Sequence, residues 1–173
     1  MERRVIVRGR LRAAHEAGRT LGTRGHVDEN DPFVALLDAW LDPAVPPARW
    51  SVVVGADGDA QAALDAAAAR RELLIVRTGR EDADALLADL SPVLGRLLDD
   101  LTSSQRRLAR LLLVDGVRQA DAAESLGISR ASVSVANGRA RLHEIDLLLR
   151  AVRACWAAGR AMSAASDVAG GSQ

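Results

Sequence analysis

The sequence has no lysine and no tyrosine, a single phenylalanine and a single cysteine in 173 residues. Each shortage excludes something. One cysteine, Cys155, rules out an internal disulfide and any metal site built from several cysteines, which fits a reducing compartment. The histidines His15, His26 and His143 stand far apart with no cysteine or second histidine at ligand spacing, so no metal and no cofactor is expected. No apolar run approaches the ~20 residues that cross a bilayer. The opening MERRVIVRGRLRAAHEAG lacks the apolar stretch of a secretory leader, so the expected compartment is the cytoplasm. All 23 basic residues are arginine in an alanine-rich chain, which reads as GC-rich coding rather than as selection for guanidinium chemistry. No nucleophile elbow, phosphate-binding loop or dinucleotide fingerprint is present, and an enzyme is not expected.

The formal net charge of zero hides an asymmetry. Residues 1–101 carry 13 arginines against 17 carboxylates, a net of −4, whereas residues 102–160 carry ten against five, a net of +5. The positive charge is therefore concentrated in one segment. About half of the residues are apolar, enough for a buried core.

Read along the chain, Val5–Val7 is a short β-branched strand and 11–21 a weak, Ala- and Arg-rich helix. GTRGHVDEND (22–31) is a polar loop, His26, Asp28 and Glu29 included. Asp31-Pro32 then opens a helix to about Leu41, with Phe33, Leu36, Leu37, Trp40 and Leu41 on one face, closed by Asp42-Pro43 and Pro46-Pro47. Strand Trp50–Val54, the turn Gly55–Asp59, a helix from Ala60 to Arg71 and strand Leu73–Val76 suggest a βαβ-like element. The two aspartates of that turn, Asp57 and Asp59, read as an ordinary surface turn, with a Mg²⁺ or nucleotide site as the alternative. From Asp82 the pattern is helical: Leu87, Leu90, Leu94, Leu97 and Leu101 recur at 3, 4, 3, 4 spacing, interrupted by Ser91-Pro92, which reads as the cap of a second segment. Trp40, Trp50 and Trp156 read as anchors of a core or an interface.

The segment that carries chemistry begins at Thr102-Ser-Ser-Gln105, a capping box opening a helix through Leu108, Leu111 and Leu112 that Asp115-Gly116 ends. Two short helices follow. In Gln119–Leu126, Ala122, Ala123 and Leu126 face inward, where small side chains permit a close crossing. Gly127 allows a left-handed turn, Ile128 is expected to plug the corner, Ser129 caps the second helix, and Val133 points back to the core. This is a helix-turn-helix, 118–141. The Asn137-Gly138 pair is a turn signal, yet the apolar register runs from Val135 through Gly138 to Leu142, Ile145, Leu149, Val152 and Trp156, and a continuous or slightly kinked helix to about Ala158 is expected, with no wing.

These residues carry a resemblance. The stretch 102–150 resembles the helix-turn-helix of sigma-factor region 4 and related bacterial transcription regulators, and from about Asp57 to Trp156 the chain is similar to the C-terminal half of SatD-family proteins. The shared elements are leucine-rich helices, a T-x-x-Q capped helix, and Q-x-x-x-A-x-x-L-G-I-S-x-x-x-V-S, here Gln119 through Ser134. No sigma region 2 is present. The resemblance implies duplex DNA as partner, with Ser129, Arg130, Ala131 and Ser134 facing the major groove, Arg130 as the chief base reader, and Arg118, Gln119, Arg139 and Arg141 on phosphates. Leu142, Ile145, Leu149, Val152 and Trp156 serve either a homodimer or packing on the chain's own leucine seam.

The expected fold is α+β and mostly helical. A small α+β region (1–80) precedes a wingless helical domain (81–160) with a long C-terminal helix, and a tail from 161 to 173 is without structure. Two other functions stay open on sequence grounds: a protein-interaction module docking through the helix-turn-helix, and a degenerate nucleotide-binding region governing the DNA-binding half.

Overall fold

The computed structural model describes residues 4–12, 19–22 and 27–170, with side chains to 161. The elements are β1 (Arg4–Leu11), β2 (Thr20–Gly22), α1 (Phe33–Leu41), β3 (Ala48–Gly55), α2 (Asp57–Ala69), β4 (Leu74–Arg77), α3 (Glu81–Asp99), α4 (Ser103–Leu113), α5 (Gln119–Leu126), α6 (Arg130–Arg139) and α7 (Leu142–Gly170). The fold is α+β and mostly helical, with one small sheet near the N-terminus.

The sheet order is β2-β1-β3-β4, antiparallel except for the β3/β4 pair, which α2 connects as a βαβ unit. Period-two alternation sorts its side chains. Val5, Val7, Leu11, Trp50, Val52, Leu74 and Val76 enter the larger core, and Ile6, Val53 and Ile75 meet the alanines of α2 on the other face. Part of the segment 11–21, expected as a helix, is extended instead: Leu11 ends β1, Thr20–Gly22 pair back on it, and 13–18 lie outside the described residues. Helix propensity is a weak prior, and main-chain pairing of Thr20–Gly22 on β1 outweighs it at the described positions.

Helix α1 buries Phe33, Leu36, Leu37, Trp40 and Leu41, as their spacing predicts, and the Asp31 carboxylate accepts the N–H of Phe33 at its start. All three tryptophans are core anchors. Trp50 stacks on Trp40 with ring centroids 6.2 Å apart, and its ring lies so close over β1 that a Cβ on Gly9 would fall 2.9 Å from it. Trp156 of α7 meets Phe33 edge to face at 5.8 Å and donates its indole N–H to the carbonyl of Glu29.

Helix α3 is one helix with Pro92 inside it, not two segments split at Ser91-Pro92. The buried Ser91 hydroxyl donates to the Leu87 carbonyl, so it serves the helix rather than starting a new one. Pro92 deprives only the Ala88 carbonyl of its ladder donor, and Ala88 is an exposed residue, where such a loss costs least. Leu87, Leu94 and Leu98 form a buried seam against α7, and Gly95 brings α3 within 3.0 Å of the Leu74 backbone, measured from the Cβ position it lacks.

Leu142, Ile145, Leu149, Val152 and Trp156 are all buried in this same chain. They pack on its own leucine seam and are not free to form the dimer that was the other reading of their spacing. The backbone of α7 is helical to Gly170, through the segment read as an unstructured tail, while 171–173 lie outside the described residues.

Candidate nucleic-acid interface

Helices α4, α5 and α6 form a compact corner in which local turn chemistry sets each boundary. The Thr102 hydroxyl accepts the Gln105 N–H, and the Gln105 side chain accepts the Thr102 N–H at 2.8 Å, completing the expected capping box of α4. Helix α5 ends in a Schellman turn: Gly127 has φ +65°, its N–H bonds Glu124, and the Ile128 N–H bonds the carbonyl of Ala123. Ser129 then accepts the N–H of Ser132 at 3.1 Å, which starts α6. Ala122, Ala123 and Val133 are buried between the helices. Their small volume lets α5 and α6 cross closely.

Ile128 departs from expectation. It is 44% exposed and plugs nothing, because the tight bonding of the turn holds its main chain at the surface while Leu126, half-buried, covers the corner. The α6/α7 boundary departs as well. Val135 is 54% exposed and Gly138 is exposed, so the apolar register does not run through them. The buried position of α6 is Val133, followed by Ala140 at its C-cap, and the chain breaks at Arg141, whose φ of +53° re-aims α7 so that Leu142 and Ile145 reach the core. Asn137 and Gly138 are themselves helical, and the expected continuous helix is broken three residues later, at Arg141.

Each residue expected to meet DNA is exposed. Arg118 precedes α5 and Gln119 is its first residue; Ala131, Ser134 and Arg139 lie along α6, with Arg130 at its start. Arg118, Arg130 and Arg139 make no ion pair among the described residues, so their guanidinium groups are free for an anion. Two expected contacts are already engaged. The Ser129 hydroxyl caps α6 and bonds the Ser132 hydroxyl at 2.9 Å, and Arg141 is bonded to Glu144 at 3.4 Å. A hydrogen bond from its own backbone, then Arg141 and His143, hold the Glu144 carboxyl below its ordinary range.

Sequence reading missed the floor of this face. The start of α4 lies beside α6, and Gln105 with Ala131, Ser132, Val135 and Arg139 lines an open groove of about 530 Å³. No local motif signals that neighbourhood, because it arises from the crossing of α4 over α6. Helix α6 carries no carboxylate, whereas α5 exposes Asp121 and Glu124. On these two helices the positive charge therefore comes from α6 and from Arg118 just ahead of α5.

The Asp57/Asp59 turn has become the first turn of α2. Asp59 accepts the Ala56 N–H at 2.7 Å, and Asp57 pairs with Arg4 and Arg8, each at 3.0 Å. Both carboxylates have structural partners, and among the described residues no cluster of His, Cys, Asp or Glu is placed to hold a metal ion. Compared with protein-family models, curated proteins and solved structures, the chain finds no match in any of the three.

Proposed function

We propose that this chain is a bacterial-type transcription regulator that binds duplex DNA in a sequence-specific manner, with α6 as the recognition helix. The observation that carries the reading is the exposed face of α6. It begins at a capped, dipole-positive N-terminus, bears no carboxylate, and presents Arg130, Ala131, Ser134 and Arg139 beyond a Gly127 turn of helix-turn-helix form. In such a unit the second helix enters the major groove with its N-terminal residues toward base edges. Arg130 is the residue suited to a bidentate contact with guanine O6 and N7. On this reading Arg118 and Arg139, with Gln119, contact phosphates, and they position without specifying. Arg141 joins them once Glu144 releases it. On this reading the protein acts in the cytoplasm by binding, not by catalysis.

The exposed Ile128 and Val135 favour a second reading, in which the same corner docks an apolar protein surface. Salt separates the two. DNA affinity falls steeply with ionic strength because each neutralised phosphate releases a counterion, and apolar docking does not weaken in that way. The deciding experiment is selection of bound duplexes from fragmented genomic DNA by the intact protein and by Arg130→Ala. Enrichment of a common motif, relaxed at one base pair in the variant at a cost of about 1–3 kcal/mol of discrimination, is the expected outcome. Failure of the wild-type protein to enrich any motif near physiological salt would overturn the reading.

A further inference from the structure

Strand β4 is an edge of the sheet, since the order β2-β1-β3-β4 leaves its outer side without a neighbouring strand. The Trp50 N–H bonds the Leu73 carbonyl, and Trp50 stands level with Leu74, so the peptide groups of residues 73, 75 and 77 turn toward β3. Those of Leu74 and Val76 therefore turn outward. The edge is closed at both ends. Gly95 of α3 lies over the Leu74 nitrogen, which stands 3.0 Å from the Cβ position this glycine lacks, and the next outward N–H, at Thr78, donates to Asp84 at 2.6 Å. Between these ends, the Leu74 carbonyl and the N–H and carbonyl of Val76 have no hydrogen-bond partner among the described residues.

An open groove of about 410 Å³ runs between β4 and α3, lined by all four residues of the strand. Its two walls differ. On the side that Leu74 and Val76 face, the wall is α3, where Ala85, Ala88 and Pro92 are small or flat and leave room. On the α2 side lie Ile75 and Arg77, the latter level with Val53 of the cluster under α2, together with Arg70 and Glu72. Arg70 and Glu72 pair with each other at 3.1 Å, and Asp84 is bonded to Thr78 and Gly79. Arg77 and Glu81 are thus the lining charges that make no ion pair among the described residues, and of the two only Arg77 belongs to the strand.

We propose that this groove takes an extended peptide segment of a partner protein, added antiparallel to β4 as a fifth strand, with an apolar side chain opposite Val76 and a carboxylate on the residue before it, opposite Arg77. Main-chain and side-chain observations identify the occupant together. Unpaired N–H and C=O groups along a strand edge are spaced to match another extended main chain. In an antiparallel pairing a single residue takes both groups of Val76, and the Leu74 carbonyl receives the N–H two residues further on. Residues directly opposite share a face of the sheet. The side chain opposite Val76 therefore enters the niche at Ala85, Ala88 and Pro92, and its predecessor meets the uncompensated guanidinium of Arg77. The open edge is about three residues, roughly 10 Å, long, and α3 stands beside it. A second copy meeting it edge to edge would bring two α3 helices together over that opening, whereas a lone segment fits.

This docking stands apart from the DNA reading and is tested without DNA, by titrating the acetylated, amidated peptide Thr-Asp-Val-Thr-Thr into the full chain and following amide chemical shifts. Saturable shifts are expected at Val76 and its neighbours on β4 and α3, and none along α6. Methylating the peptide's valine nitrogen, which removes the donor to the Val76 carbonyl, should abolish them. Ala88→Leu should do the same by filling the niche, with a circular dichroism melt that matches the wild type because Ala88 is exposed. Arg77→Glu is expected to weaken the aspartate peptide about fivefold and to favour Thr-Arg-Val-Thr-Thr instead. No saturable shift in the wild type, binding that survives the methylated peptide or Ala88→Leu, or an unchanged charge preference in Arg77→Glu would each overturn the proposal.

Discussion

The sheet-centred half of the molecule and the helix-turn-helix corner are held by different means. Around β1, β3, α1, α3 and α7 the core is built from large side chains with almost no exposure, Phe33, Trp50, Trp156 and eight or more leucines among them. In α5, α6 and the turn after α6 the buried residues are Ala122, Ala123, Val133 and Ala140, which bury little apolar area, and order is kept by capping bonds and backbone turns. The comparison teaches where each half is fragile. The first loses stability when volume is removed, and the second when a single turn residue is changed.

The largest break in that contrast is Trp50→Ala. It removes the ring stacked between Trp40 and Gly9, and a loss of about 3–5 kcal/mol is expected, measured as a fall in urea midpoint for the whole chain. Next comes Gly95→Ala, which sets a methyl 2.9 Å from the Leu74 Cβ and 3.0 Å from its backbone nitrogen, rigid atoms both. Overpacking of that kind costs about 1–3 kcal/mol and pries α3 from β4, also a global effect.

Gly127→Ala sharpens the comparison from the other side. A side chain in the left-handed region costs about 1–2 kcal/mol, and hydrogen exchange should show the loss concentrated in α5 and α6 while the amides of β3 keep their protection. Equal loss of protection in β3 would mean that the corner and the sheet unfold as one unit.

The smallest effect is expected at Glu144→Gln. Its lowered pKa means that the ionised carboxylate stabilises the α6/α7 junction at pH above its ordinary 4.5, and that this contribution is lost as pH falls through the depressed folded value. The glutamine variant should therefore lose the acid dependence of the junction with little change near neutrality. By freeing Arg141 and removing a negative charge, it should also tighten DNA binding a few-fold at low salt. Unchanged or weaker DNA binding would remove Arg141 from the phosphate-contacting set.

Much of the corner was legible in the sequence. The capping box at Thr102–Gln105, the glycine turn at Gly127, the cap at Ser129 and the inward Ala122, Ala123 and Val133 depend on bonds within a few residues, so local residue types suffice to define them. The α1 face and the β3-α2-β4 unit were readable for a similar reason, since their periodicity runs over a whole element. Legibility failed wherever a distant partner decided. Ile128 is apolar but its turn holds it outward; Ser91-Pro92 resembles a helix start but sits where a seam on α7 keeps one helix straight through it. The 3, 4 register through Val135 and Gly138 described a helix that breaks at Arg141.

By itself the sequence determined the local grammar: where helices start and stop, which face of each is apolar, and that residues 102–160 concentrate positive charge. These follow from bonds and periodicities a few residues long. Only the tertiary structure decided that Leu142 to Trp156 bury against the chain's own α3, that Gln105 joins the face of α6, and that Leu86, Val93 and Leu147 remain outside. The physical reason is that an apolar stripe states a need for burial but not the partner that meets it, and that partner is set by how helices far apart in sequence cross.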